Sequence, residues 1–171
     1  MHSLEDTEMQ GQIQQKIEIN DIVRRNRVEM FVKKKRAPLE GRHILVAEDI
    51  EMNAEILMDI LEMEGVTADH AENGKIALEM FGKSDAGTYD AILMDVRMPE
   101  MDGLEATAAI RALDRPDARK IPIIALTANA FDEDVQRSLQ EGMNAHLSKP
   151  VEPDHLYRTL AELIYEAEKA D

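Results

Sequence analysis

From residue 43 onward, short β-branched apolar runs alternate with longer amphipathic stretches, and this alternation limits the fold more than any other feature of the chain. The runs are HILVA (43–47), VTADHA (66–71), AILMD (91–95), IPIIAL (121–126) and AHLS (145–148). Between and after them, apolar residues recur at helical spacing. Ile56, Leu57, Ile60, Leu61 and Met63 mark the first such stretch, Ile76, Ala77 and Met80 the second, and Leu104, Ala108 and Leu113 the third. Val135 and Leu139 mark the fourth, and Leu156, Leu160, Leu163 and Ile164 the last. Five strand–helix units in alternation predict an α/β fold, a doubly wound five-stranded parallel sheet with helices on both faces. AILM and IPIIAL are apolar at nearly every position, as central strands buried on both sides require.

Local punctuation agrees with this reading. Asn73-Gly74 has the composition of a hairpin turn, but the residues after it keep helical spacing, so Asn73 is expected to cap a helix. Gly65 and Gly142 follow helical patterns, where a left-handed residue is wanted. Residues 1–42 are less regular. IEI (17–19) and VEMFV (28–32) hint at strands, while Met9, Ile13 and Ile17 hint at a helix, and both readings stand. Pro38 and Gly41 read as a linker. We therefore expect residues 1–42 to be a linker or the remnant of an upstream region, and 43–171 to be the principal domain.

Charge supports the same division and narrows the function. Residues 1–42 hold 9 Lys and Arg against 7 Asp and Glu, whereas residues 43–171 hold 11 against 28. So acidic a domain is a poor partner for nucleic acid, and no direct binding of it is expected. The basic run RRNRVEMFVKKKR (24–36) has acidic neighbours and little aromatic interleaving, and reads as a solvated linker. The absence of cysteine excludes disulfides, thiol catalysis and Cys-based zinc sites. No run of about 18 apolar residues crosses a bilayer and no signal core opens the chain, so a cytoplasmic setting is expected.

The acids have a pattern as well as a number. Glu48 and Asp49 follow the first strand, and Asp95 ends the third. In a doubly wound sheet, ligands bind at the carboxyl ends of the strands where strand order reverses. For the order 2-1-3-4-5 that point lies between strands one and three, which brings three acids to one crevice. Their repulsion is relieved by a shared proton or a cation, and Mg2+ (or Mn2+) suits one or two carboxylates with room left for a phosphate. Thr127 after strand four and Lys149 after strand five reach the same edge. A carboxylate nucleophile, a cation site, a hydroxyl and an ammonium together serve to move a phosphoryl group onto Asp95.

LVAED (45–49), ILMDVRMPEMDGLEA (92–106), ALTANA (125–130) and LSKPV (147–151) resemble the receiver domains of two-component signalling. The resemblance covers roughly residues 43–165 and is greatest to receivers attached to hybrid sensor histidine kinases. It implies a flavodoxin-like fold, with Asp95 as phosphoacceptor and Glu48 and Asp49 as the magnesium-binding acids. It also implies the backbone carbonyl of Arg97 as a further metal ligand, Thr127 and Lys149 as contacts to the phosphoryl group, and a cis Lys149–Pro150 bond. His146 stands where many receivers have Tyr or Phe as a rotating switch side chain, so an aromatic switch is in doubt here, whereas a shift of Thr127 is not. Arg97 and Asn129 occupy positions that flank the path of attacking water and are expected to tune the lifetime of the phosphorylated state. The implied partner is a histidine kinase or a histidine phosphotransfer domain.

Features of other functions are missing from the sequence. There is no P-loop, because position 69 is Asp where Gly74-Lys75 would need an upstream glycine. No phosphorylatable dimerisation helix or ATP lid accompanies the five histidines. A piece of a hybrid sensor histidine kinase is the expected context, with a stand-alone single-domain regulator as the alternative. A magnesium-dependent small-molecule phosphohydrolase is a weaker one, since the acid/base Asp two residues beyond the nucleophile is replaced by Arg97. No independent enzyme is expected beyond self-phosphorylation and slow autodephosphorylation.

Overall fold

The computed structural model describes residues 9–15, 20, 39–128 and 133–170, with the side chains of 133–135 left aside. The chain divides into two units, Met1–Ala37 and Pro38–Asp171. In the first, residues 9–15 are helical and exposed, on the spacing of Met9 and Ile13. The strand hints at 17–19 and 28–32 and the basic run lie outside the described residues.

The second unit alternates without interruption: β1 (His43–Ala47), α1 (Glu51–Glu62), β2 (Thr67–Ala71), α2 (Gly74–Lys83), β3 (Ala91–Asp95), α3 (Gly103–Arg111), β4 (Ile123–Thr127), α4 (Glu133–Gln140), β5 (Ala145–Ser148) and α5 (Pro153–Lys169). All strand pairs are parallel and the order is β2-β1-β3-β4-β5. The expected doubly wound topology is thus the observed one. β3 and β4 are buried at every position, which accounts for their unbroken apolar sequence.

Alternate residues of each strand feed two separate cores. Leu45, Ile92, Met94 and Ile123 pack with Phe81 of α2 and Ile110 of α3 on one face. Ile44, Val46, Leu93 and Ile124 pack with Leu61 of α1 and Leu160 of α5 on the other. Leu39 joins the second core at 1% exposure, and the Gly41 N–H donates to the Gly65 carbonyl at 2.9 Å. The stretch that reads as linker from its Pro and Gly therefore already contributes to the core before β1 begins.

Several residues that marked the helices in sequence turn outward. Ile56, Met63 and Leu139 are 52%, 80% and 51% exposed, and Ala108 is exposed too. The buried face of α1 runs through Ala54, Leu57 and Leu61; Ile56 is about 100° away from Leu57 on the helical wheel, and Met63 lies past the last turn. Phe81 and Ile110, rather than Met80 and Leu113, are the buried anchors of α2 and α3. Asn73 does cap α2, its side chain accepting from the Ile76 N–H at 2.9 Å. Gly65 and Gly142 take positive φ of 77° and 106°.

Candidate functional site

Parallel pairing places the carboxyl end of every strand on one edge, and the residues just beyond those ends meet there. Glu48 continues from β1 with its N–H still donating to the Ala71 carbonyl at 3.1 Å, and its side chain is fully buried. Asp95 closes β3 at 6% exposure. Thr127 is itself the last residue of β4, one place beyond the strand end expected from sequence. Lys149 follows β5, and its N–H donates to the Thr127 carbonyl at 2.8 Å.

The side chains converge tightly. Lys149 Nζ lies 2.9 Å from Glu48 Oε2 and 2.8 Å from Asp95 Oδ2. The Arg97 N–H donates to Asp95 Oδ1 at 3.3 Å, and the Ile50 N–H to Glu48 Oε1 at 3.3 Å. Carboxylate oxygens of Glu48, Asp49 and Asp95 lie within 4.8 Å of one another, with Asp49 exposed at the mouth. A cleft of 210 Å³ is lined by Asp49, Asp95, Arg97, Thr127 and Lys149 among others. Thr127 Oγ1, buried beside it, has no hydrogen-bond partner among the described residues.

The electrostatics are those of a site short of positive charge. Burial pushes the Asp95 carboxyl up to about 6; the Lys149 hydrogen bond pulls against this, and the neighbouring Glu48 adds to it. For Lys149, burial favours the neutral amine, but hydrogen bonds to Asp95 and Glu48 outweigh it and raise its pKa above the ordinary lysine range. One ammonium thus serves two buried acids while a third stands at the entrance. Three clustered oxygen donors of this kind fit a hard divalent cation.

The backbone that carries Asp95 is held by two glycines whose role in the site was not read from sequence. A Cβ on Gly103 would fall 2.2 Å from the Asp95 carbonyl oxygen, and the Gly103 N–H donates to the Val96 carbonyl at 2.9 Å. A Cβ on Gly74 would fall 2.4 Å from the Met101 carbonyl oxygen. Glycine at both places lets the loop 96–102 fold back against β3 and α2, with Glu100 turning it at φ 67°. Asn73-Gly74 and Asp102-Gly103 were the available signals.

The remaining expectations are placed as follows. The Lys149–Pro150 bond is cis. Arg97 is exposed at the cleft. His146 is exposed on β5 and is not among the residues that line the cleft. Asn129 lies outside the described residues.

The sequence profile of the response regulator receiver domain matches residues 44–161. Hybrid signal transduction histidine kinase I of Dictyostelium discoideum is 40% identical over 119 residues, covering 68% of this chain and 7% of that protein. The aerobic respiration control sensor protein ArcB of Escherichia coli is 40% identical over 115 residues, covering 67% of this chain and 14% of that protein. The chain therefore spans only a small part of the length of these relatives. Among solved structures, the receiver domain of sensor histidine kinase PA1611 from Pseudomonas aeruginosa, which has a magnesium ion coordinated in its active-site cleft, is 39% identical with a TM-score of 0.66, covering 73% of this chain and 98% of that one. The receiver domain of Ssk1 from Saccharomyces cerevisiae, crystallised with the histidine phosphotransfer protein Ypd1, is 27% identical with a TM-score of 0.63, covering 72% of this chain and 89% of that one.

Proposed function

This chain belongs to the response regulator receiver family, and from that premise we propose that Asp95 accepts a phosphoryl group from a phosphohistidine donor in a two-component phosphorelay. The observation that carries the reading is the meeting of Asp95 and Lys149 with two further acids in one cleft, beside a buried hydroxyl that lacks a partner among the described residues. Asp95 Oδ attacks phosphorus in line, the donor's P–N bond breaks, and the electron pair stays on the imidazole nitrogen, which then takes up a proton. Lys149 Nζ, already on Asp95, pairs with one phosphoryl oxygen, and the Thr127 hydroxyl donates to another. The Thr127 movement this needs would couple the chemistry to the fold, and His146 on the neighbouring strand β5 stands exposed, where a switch side chain has room to turn.

Glu48, Asp49, Asp95 and the Arg97 carbonyl would hold Mg2+, and Mn2+ suits the same oxygen donors. Bound there, the cation would supply positive charge to the phosphoryl oxygens beyond what Lys149 provides. Arg97 at the mouth would tune the lifetime of the aspartyl phosphate by obstructing water.

Beside the cleft, a 380 Å³ groove is lined by Ile56, Ile60, Pro150 and Val151 together with Glu48 and Lys149. Ile50, which lines the acidic cleft, and Met52 at the start of α1 are 53% and 70% exposed. This apolar surface fits a donor, either a histidine kinase or a histidine phosphotransfer domain, that must bring its imidazole to Asp95. The relatives favour a hybrid histidine kinase as the parent protein, with this unit on its cytoplasmic side. Among the described residues no helix is long and apolar enough to cross a membrane.

The test is labelling. Acetyl phosphate or a phosphohistidine donor should add one phosphoryl group in the presence of Mg2+, and none to Asp95→Asn or after chelation. Labelling that survives the substitution would remove Asp95 as acceptor.

A further inference from the structure

β1 and β2 part company at the acid pair. The last ladder bond runs from the Glu48 N–H to the Ala71 carbonyl at 3.1 Å. β2 then ends at Ala71 and the chain turns into the cap of α2, so the Glu48 carbonyl lies beyond the ladder. A side chain meets it instead: His70 Nε2 is 2.7 Å from Glu48 O. A carbonyl only accepts, so the imidazole donates, and His70 carries a proton on Nε2.

That carbonyl belongs to the peptide joining Glu48 to Asp49. With the Glu48 N–H held by Ala71 and its C=O held by His70, the backbone is fixed on both sides of Glu48 and up to the Cα of Asp49. From this pinned segment the Glu48 side chain runs inward to Lys149, while Asp49 stays at the cleft mouth. A small rotation of the peptide would swing both carboxylates, and a cation that shares them tolerates little such error.

We propose that His70 is a positioning residue for the divalent-cation site, acting through the Glu48–Asp49 peptide. This rests on the reading of the acid cluster as a metal site given above. Removing the Nε2–H donor should weaken Mg2+ binding about tenfold, the lower end of the usual effect of groups that orient ligands. The fold should lose much less, because His70 is only half-buried and its strand pairing is carried by the backbone.

The experiment titrates Mg2+ into the full 171-residue chain by calorimetry at constant ionic strength, for the parent and for His70→Leu, His70→Asn and His70→Gln. Gln places an amide N–H at nearly the reach of Nε2, whereas Asn falls one methylene short and Leu has no donor. Leu and Asn should bind about tenfold more weakly, Gln within about twofold of the parent, and metal-free Asn and Gln variants should unfold at similar temperatures. Should the Leu variant not fold, the Asn and Gln pair decides alone. Parent-like affinity in Asn, or affinity in Gln as weak as in Asn, would overturn the role of His70. A parent chain that binds no Mg2+ at millimolar concentration would instead bring down the metal-site reading itself, and this proposal with it.

Discussion

Asp69 on β2 and Asp95 on β3 flank the same central strand, yet their surroundings drive their carboxyl groups in opposite directions. Burial alone would raise Asp69, but hydrogen bonds from Tyr89 and His43 more than reverse this and hold it below the ordinary aspartate range. The Tyr89 hydroxyl donates to Asp69 at 2.7 Å, His43 Nε2 lies 2.8 Å from the same oxygen, and the two rings stack with centroids 5.1 Å apart. Nearby, Arg42 pairs with Asp90 at 3.2 Å and Arg115 with Asp117 at 2.6 Å. At the other edge Asp95 is raised to about 6 and shares the Lys149 ammonium with Glu48. Where the strands begin, charges are matched and serve stability; where they end, the mismatch is the means by which a cation and a phosphoryl group find something to do.

The sharpest way to break this contrast is to disturb the backbone under Asp95 without touching a charge. Gly103→Ala should cost about 3 kcal/mol of stability in urea unfolding, because its methyl group cannot share space with the Asp95 carbonyl. A loss well below about 1 kcal/mol would mean that loop 96–102 yields easily and does not fix the acceptor.

Asp95→Asn tests the mismatch itself and should stabilise the metal-free protein by about 2 kcal/mol at pH 7.5. The folded pKa, about 6, lies above the unfolded value near 4, so between those limits the native state binds the extra proton. The parent's stability from this group is therefore fully present below about pH 4 and is lost as pH rises through about 6. The advantage of Asn should accordingly vanish at pH 4 and be complete above about pH 6.5. An equal difference in denaturant midpoint at both pH values would show that the Asp95 charge is no burden.

Tyr89→Phe makes the smallest change and probes the opposite edge. It should cost about 1 kcal/mol through the lost hydrogen bond to Asp69, with Mg2+ affinity and labelling unaltered. A fall in Mg2+ affinity would show that the two edges are coupled and not merely different.

The sheet and the acid cluster were legible for the same reason. Fully buried strands leave unbroken apolar runs, and a parallel topology makes the residue after each run a neighbour of the others, so Glu48, Asp95, Thr127 and Lys149 follow from counting. What sequence did not yield depends on distances between segments. Whether Ile56 or Leu57 faces the core is settled by how α1 lies on the sheet, and Leu39 is buried despite its Pro and Gly neighbours because the chain crosses the end of α1 before β1 starts. His70 reads as one more residue of a strand until the separation of β1 and β2 leaves a carbonyl for it to meet.

Lys149, which bridges Glu48 and Asp95, also bears on how the protein behaves in an electric field. With it in place, the Asp95 carboxyl, at about 6, is ionised at neutral pH. Without it, two buried carboxylates would face each other across a few ångströms, and one would retain a proton instead. Deleting the lysine's positive charge would thus recruit another, and the electrophoretic mobility of the chain would change by less than a full unit of charge. The cleft thus regulates its own charge.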